Sequence, residues 1–234
     1  MPFFLSHRQP ELIELMDRED CDAEQLKNTY RQFSIINGLL SNWRRIYKNQ
    51  LFPLMVDKSR VYTLLDIGFG GGDIPLAISH WAKKDGIKLK ITAIETDKRA
   101  FDFAQSLPID SSVSFLNCSS TDLVENNKKF DFVISNHVIH HLNENDLLTI
   151  LSESKELAHS LVLFNDIERS DLGYILFSIF SRILFWNSFI TADGLTSIKR
   201  CYTKNELKEI APEGWNVDRS IPFRLLLTHK AYEN

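Results

Sequence analysis

The segment Leu64-Leu65-Asp66-Ile67-Gly68-Phe69-Gly70-Gly71-Gly72-Asp73-Ile74-Pro75 constrains the fold more than any other part of the chain. A mostly apolar run from Val61 to Leu65 ends in an acid and then in closely spaced glycines. That order reads as a buried strand turning sharply into a helix. Gly68 and Gly70 suit positive φ and let a ligand approach the backbone. The helix that follows presents unpaired N–H groups and the positive end of its dipole. Such a corner holds a nucleotide or nucleoside cofactor. The dinucleotide pattern G-x-G-x-x-G has its third glycine where this chain has Asp73, and Asp66 directly precedes the turn. Two carboxylates disfavour a pyrophosphate and suit a ligand carrying an amine and a sulfonium.

A strand–helix alternation starts at this corner. Strands are expected over residues 61–66, 88–95, 113–116, 130–135 and 161–164, with helices over about 72–84, 98–107 and 143–158. Asn143 or Asn145 caps the last of these helices. Thr203-Lys204-Asn205-Glu206 is a capping box that opens a helix ending near Ala211. Two strands over 215–221 and 223–229, joined at Pro222, have too little between them for a crossover and must pair antiparallel. Before the alternation, residues 10–16 and 22–49 carry helical periodicity. Ile35, Ile36, Leu39, Leu40, Trp43 and Ile46 form one apolar stripe there. The expected fold is α/β: a Rossmann-like, doubly wound seven-stranded sheet, mostly parallel with an antiparallel last strand. A helical cap is expected over 1–58. The cofactor-binding domain then spans 59–234, with a helical insertion at about 168–198.

The chain has 234 residues, 44% apolar and 25% charged, with a net charge of −4, which suits a globular domain with a substantial core. Acids are spread along it, and no basic face points to nucleic acid. Cys21, Cys118 and Cys201 are far apart and odd in number, so neither a disulfide framework nor a metal-ligand spacing is present, and no metal is expected. The first residues lack a charged segment followed by a long apolar core, so the expected compartment is the cytoplasm.

An acid followed closely by G-x-G-G-G resembles the first motif of class I S-adenosylmethionine-dependent methyltransferases. The segment from Asp131 to Leu142, ending His140-His141-Leu142, resembles the fourth-strand motif of the same family. A parallel sheet closed by an antiparallel hairpin is that family's arrangement as well. The resemblance covers about residues 61–230. It implies S-adenosyl-L-methionine (SAM) as cofactor and S-adenosyl-L-homocysteine (SAH) as product. Tyr30 and the run from Ile36 to Arg44 are similar to the entry helices of quinone-biosynthesis (ubiquinone/menaquinone-type) methyltransferases. The whole also resembles the methyltransferases that accompany type III polyketide synthases.

Glu95 ends the second strand, 23 residues after Gly72, and its two oxygens suit the two hydroxyls of a ribose. Asp97 takes that role if the register is off by two. After the third strand, the resemblance implies adenine contacts through Ser119, which stands where the family usually has an acid, and Ser120. Asp122 either compensates or caps a helix. Ligands sit outside the carboxyl ends of the strands in such sheets, which brings Asn136 and His137 to the site. The cofactor set is therefore Asp66, Gly68, Phe69, Gly70, Glu95, Thr96, Ser119, Ser120, Asn136 and His137. His140 and Asp166 are the candidates for taking a proton from a phenol. Their bland readings are a structural histidine pair and a helix cap. By resemblance, Tyr30 and Asn37 close over the cofactor, and His141 joins the pocket.

Residues 172–190 (LGYILFSIFSRILFWNSFI) approach the length of a membrane span, but Arg182 sits near the centre. A central Arg costs about 2.5–3.5 kcal/mol on insertion scales. A cap over the acceptor pocket is the better reading, with Phe177, Phe180 and Phe185 lining it and Trp186 at the mouth. A dimer contact or a peripheral membrane contact are its alternatives. The expected reaction moves a methyl from SAM to an oxygen, or less readily a ring carbon, of a small apolar aromatic of phenol or quinol type. A protein, nucleic-acid or fatty-acid methyltransferase on the same fold is the alternative, as is a non-catalytic cofactor-binding protein. No N/D-P-P-Y/F motif follows the fourth strand, where the chain reads Asn136-His137-Val138-Ile139, and this argues against methylation of bases.

Overall fold

The central strands are apolar on both sides, so the sheet they form has helices on both faces. β1 (Val61–Ile67), β2 (Lys88–Ile94), β3 (Val113–Leu116), β4 (Phe130–Asn136) and β5 (Ala158–Ile167) run parallel. β6 (Trp215–Ser220) and β7 (Arg224–Lys230) form the antiparallel hairpin that the short Pro222 connection requires. β7 inserts between β5 and β6, giving the order β3-β2-β1-β4-β5-β7-β6. The computed structural model describes residues 2–108 and 110–231.

α1 (Ala23–Leu40) and α2 (Trp43–Ile46) precede the sheet, and α3 (Asp73–Lys84) and α4 (Lys98–Gln105) follow β1 and β2. α5 (Ser120–Glu125) and α6 (Glu144–Leu157) follow β3 and β4. α7 (Asp171–Leu184), α8 (Ile190–Arg200) and α9 (Lys204–Ile210) lie between β5 and β6. One face of the sheet packs on Trp43 and Ile46 of α2, Ile74 and Ile78 of α3, and Ala104 of α4. The other packs on Leu123 of α5, Leu147 and Leu151 of α6, and Leu207 of α9. Strand order reverses between β1 and β4, the switch point at which open α/β sheets bind ligands.

The N-terminal helices depart from the expected pattern. Residues 10–16 hold only a 3-10 turn at Leu15–Asp17. Its Leu15 and Met16 N–H groups bond the Asp193 carboxylate of α8 at 2.6 and 3.0 Å, so a tertiary anchor replaces the helix. The helix expected over 22–49 breaks at Asn42, which is left-handed with φ 60°. Asn tolerates that conformation, and its side chain bonds Ser220 Oγ and the Ile221 carbonyl at the β6–β7 turn. The break divides the expected stripe: Trp43 and Ile46 enter the core, whereas Ile35, Leu39 and Leu40 are exposed.

The insertion also differs. α7 ends at Leu184 and α8 follows as a second helix, so the helical insertion expected over about 168–198 is a helix pair. Residues between them cross α1: Asn28 Nδ2 and Gln32 Nε2 donate to the Asn187 and Trp186 carbonyls, and Phe189 N donates to Thr29 Oγ1 at 2.8 Å. α5 puts Asp122 in a helix cap, one of its two expected roles, with Ser119 rather than Asp122 at the N-cap and Asp122 completing a capping box.

Candidate active site

A mostly apolar cavity of about 1060 Å³ opens above the carboxyl ends of β1, β2, β4 and β5, under α1, α7 and α8. Ligand pockets usually run to roughly 300–1,000 Å³, so this one has room for a cofactor and an acceptor together. Every residue of the expected cofactor set lines it. So do Tyr30, Asn37, His140, His141, Phe177, Phe180 and Phe185. Asp166 lies behind His140, and Trp186 is 75% exposed outside the lining.

At the β1 end, Gly68, Gly70 and Gly72 all have positive φ. A Cβ on Gly68 would stand 2.5 Å from Val138 Cγ2, and one on Gly71 would stand 2.8 Å from the Tyr30 carbonyl. Glycine there lets α1 and the loop after β4 close onto the turn. Asp66 is buried, and neither carboxylate oxygen has a hydrogen-bond partner. Burial, then the charges of Asp73 and Glu95, push its pKa well above the usual carboxylate range. Burial likewise pushes Asp73 up to about 6, against the bond it accepts from Asn37 Nδ2 at 3.0 Å. Glu95 accepts from the N–H groups of Gly70 at 3.0 Å, Thr96 at 2.9 Å and Asp97 at 3.1 Å, which fixes its carboxylate at the mouth of the glycine turn. Asp97 caps α4 and pairs with Arg99. Ser119 donates its hydroxyl to Asp122 at 2.7 Å within the capping box.

Between the two ends runs a polar network. Asn136 Oδ1 accepts from Trp43 Nε1 at 2.9 Å and from Arg224 Nη2 at 3.0 Å. Its Nδ2 donates to Asn37 Oδ1 at 3.3 Å. Arg224 also bonds Asn165 Oδ1 at 3.0 Å and His137 Nε2 at 2.9 Å. An arginine only donates, so Nε2 of His137 accepts. Burial, then the Arg224 charge, hold the His137 pKa well below its usual value and keep the ring neutral.

At the far end, the Asp166 carboxylate accepts from His140 Nδ1 at 2.8 Å and from the His140 backbone N–H at 3.0 Å. Burial opposes a charge on His140, but the adjacent Asp166 outweighs it and lifts the imidazole pKa well above the usual range. Burial opposes ionisation of Asp166 as well, and the His140 charge outweighs that, leaving the carboxyl below its usual range. His140 Nε2 is buried at the cavity wall without an aligned partner, and Glu14 Oε1 stands 3.3 Å away. Arg200 Nη1 lies 3.5 Å from Glu14 and 3.7 Å from Asp17. A histidine held at Nδ1 by a carboxylate can accept a proton at Nε2 when neutral, and here that nitrogen faces a second carboxylate, Glu14, at the cavity wall.

The family described as Methyltransferase domain matches residues 64–159, from β1 through α6 to the start of β5. The chain superposes on the plantazolicin methyltransferase BpumL in complex with SAH with a TM-score of 0.56 at 16% identity, covering 89% of this chain and 96% of that one. A SAM dependent methyltransferase from Aquifex aeolicus gives 0.55 at 17%, covering 90% and 99%. Magnesium protoporphyrin IX methyltransferase (ChlM) from Synechocystis PCC 6803 with bound SAH gives 0.52 at 14%, covering 87% and 98%. The fold is that of a class I methyltransferase. No curated protein matches the sequence.

On this methyltransferase fold, the residues that sequence reasoning missed are Glu14, Asp17, Arg200 and Arg224. They reach the site from the N-terminal segment, α8 and β7. Among the described residues, two groups bring potential metal-ligand atoms within 4.8 Å: Glu14 with His140 and His141, and His137 with His140 and Asp166. Arg200 stands beside the first, and Arg224 donates to His137 in the second, so a guanidinium already supplies positive charge at each. Among the described residues, no helix is long and apolar enough to cross a membrane.

Proposed function

We propose that this chain is a SAM-dependent methyltransferase that methylates the hydroxyl oxygen of an apolar phenol- or quinol-like acceptor. The observation that carries the reading is one continuous apolar cavity with an orphaned carboxylate at one end and a carboxylate-backed histidine at the other. The residues fit SAM. Asp66 is a buried acceptor pair suited to the ligand's ammonium group, and Glu95 stands ready for the ribose. The glycine turn keeps the backbone open between them. When bound, SAM supplies an electrophilic methyl on a sulfonium, with SAH as the leaving group.

The chain's own residues align the acceptor, exclude water and hold one proton. Phe177, Phe180 and Phe185 take the ring and its apolar substituents. His140 Nε2 takes the hydroxyl proton while Asp166 holds Nδ1–H, which fixes the tautomer and stabilises the imidazolium. His140 acts in this way only when neutral, so its raised pKa places activity on the alkaline side. Alignment in a dry pocket supplies the rest of the rate.

The test is methyl transfer from SAM to alkylated phenols, quinols, fatty acids and a peptide, read by mass spectrometry. O-methyl ethers of the phenols are expected. His140→Ala should lower turnover by about 10²–10⁴ with SAM affinity unchanged. Transfer to carbon only, or to the peptide and to none of the phenols, would overturn the acceptor assignment.

A further inference from the structure

α7 is apolar nearly all round: Phe177 packs inward against Gly194 of α8, and a second set of apolar side chains faces out. Its inward residues include Gly173 and Ser181, while Leu172, Ile175, Leu176, Ile179, Phe180 and Ile183 are all exposed. These positions recur at three- and four-residue steps, so they form one stripe facing outward. Ile183 and Trp186, at 72% and 75% exposure, stand furthest out. Across the opening, Leu39 and Leu40 at the end of α1 are exposed as well. Leu39, Leu40, Leu176, Phe180 and Leu184 both line the cavity and reach the surface, so the cavity's rim is apolar and continuous with the stripe.

Charge on the segments framing this rim is mostly basic: their acids are Glu24 of α1, beside Asn187, and Asp171 of α7, which the N–H groups of Phe4 and Leu5 occupy. Residues 25–56 and 172–192 contain no Asp or Glu, in a chain whose net charge is −4. Exposed there are Lys27, Arg31, Arg44, Arg45 and Arg182, and none of these makes a salt bridge among the described residues. Lys48 pairs with Asp85, and Glu168 at the cavity wall pairs with Arg219. A second copy of the chain would bring the same basic residues against this face. An anionic lipid surface complements both the charge and the apolar stripe.

We infer that the α7–α1 rim is a peripheral docking surface for an anionic lipid bilayer, and that the acceptor carries an apolar tail entering from that bilayer through the rim. The helix lies in the interface rather than spanning it, since its 14 residues are too few to cross. The tail assignment rests on the proposed methyl transfer. The docking does not, and is read without any turnover.

The experiment is co-sedimentation of the whole protein with vesicles of phosphatidylcholine alone and of phosphatidylcholine with one quarter phosphatidylglycerol, with light scattering on the free protein. Binding to the anionic vesicles is expected, and should fall in high salt as the charges are screened. Each basic residue near an anionic leaflet strengthens partitioning about fivefold, so Arg44→Glu with Arg45→Glu should weaken it at least tenfold. Ile179→Glu with Ile183→Glu, at positions outside the cavity lining, should do the same while leaving SAM binding and the melting temperature intact. No binding by the wild type, or equal binding by the Ile179/Ile183 variant, overturns the proposal. So does a dimer that this variant splits with no vesicle binding. Failed methyl transfer alongside intact vesicle binding would count against the acceptor chemistry alone.

Discussion

Replacing Asp66 by Asn should move two properties in opposite directions. The carboxylate is buried without a partner, and burial together with Asp73 and Glu95 raises its pKa. A carboxyl whose folded pKa exceeds its unfolded value contributes stability that is fully present below the unfolded pKa. That contribution is lost as pH rises through the folded value. Asn removes the charge but leaves an amide short of partners at roughly 1–3 kcal/mol. The unliganded variant should therefore melt higher than the wild type at pH 7. Losing a charge-assisted bond to the cofactor's ammonium costs about 1.5–3 kcal/mol, a loss in affinity of roughly ten- to a hundredfold. Scanning calorimetry without ligand and titration calorimetry with SAM read the two effects. Titration in buffers of different ionisation enthalpy should show wild-type Asp66 releasing a proton on binding. A lower melting temperature, or an unchanged SAM affinity, would refute the reasoning.

Gly68→Ala sets a side chain at φ 74° and its Cβ 2.5 Å from Val138. The left-handed conformation alone costs about 1–2 kcal/mol, so the urea midpoint should fall, and an unchanged midpoint would contradict the assigned turn. Glu95→Ala should weaken SAM at least about tenfold, since a charged hydrogen bond is worth about 1.5–3 kcal/mol; an unchanged Kd would pass the ribose to Asp97. Turnover should rise with pH through the raised pKa of His140, because only the neutral ring accepts a proton. Asp166→Asn should lower turnover and shift that limb to lower pH, and a profile unmoved by the substitution would remove His140 from the chemistry. The same raised pKa contributes stability that is present below the usual histidine range and is lost as pH rises through the folded value.

Features signalled within a few residues were legible. The glycine turn, the Asn143 cap, the Thr203–Glu206 capping box and the closing hairpin all appear where local chemistry places them. α5 was equally open to reading: Ser119-Ser120-Thr121-Asp122 fits the S/T-x-x-D/E pattern, with the acid at N3. The break at Asn42 was harder, because Asn is ordinary inside a helical run until its side chain finds the β6–β7 turn. The apolar run over 172–190 was plain, but composition carries no information on which side of the helix meets protein. Glu14, Arg200 and Arg224 had no local signal. Glu14 meets His140 126 residues further along the chain, and Arg224 meets His137 across 87. Only the folded sheet and the anchoring of Leu15 and Met16 on Asp193 bring them together.

The central claim is that the corner after β1 selects SAM over a dinucleotide. Its most direct test is titration calorimetry of the purified protein with SAM, SAH and NADH in parallel. One site for SAM and SAH is expected, weakened by Asp66→Asn, with no heat from NADH. Saturable NADH binding with none for SAM or SAH would contradict the account at its root.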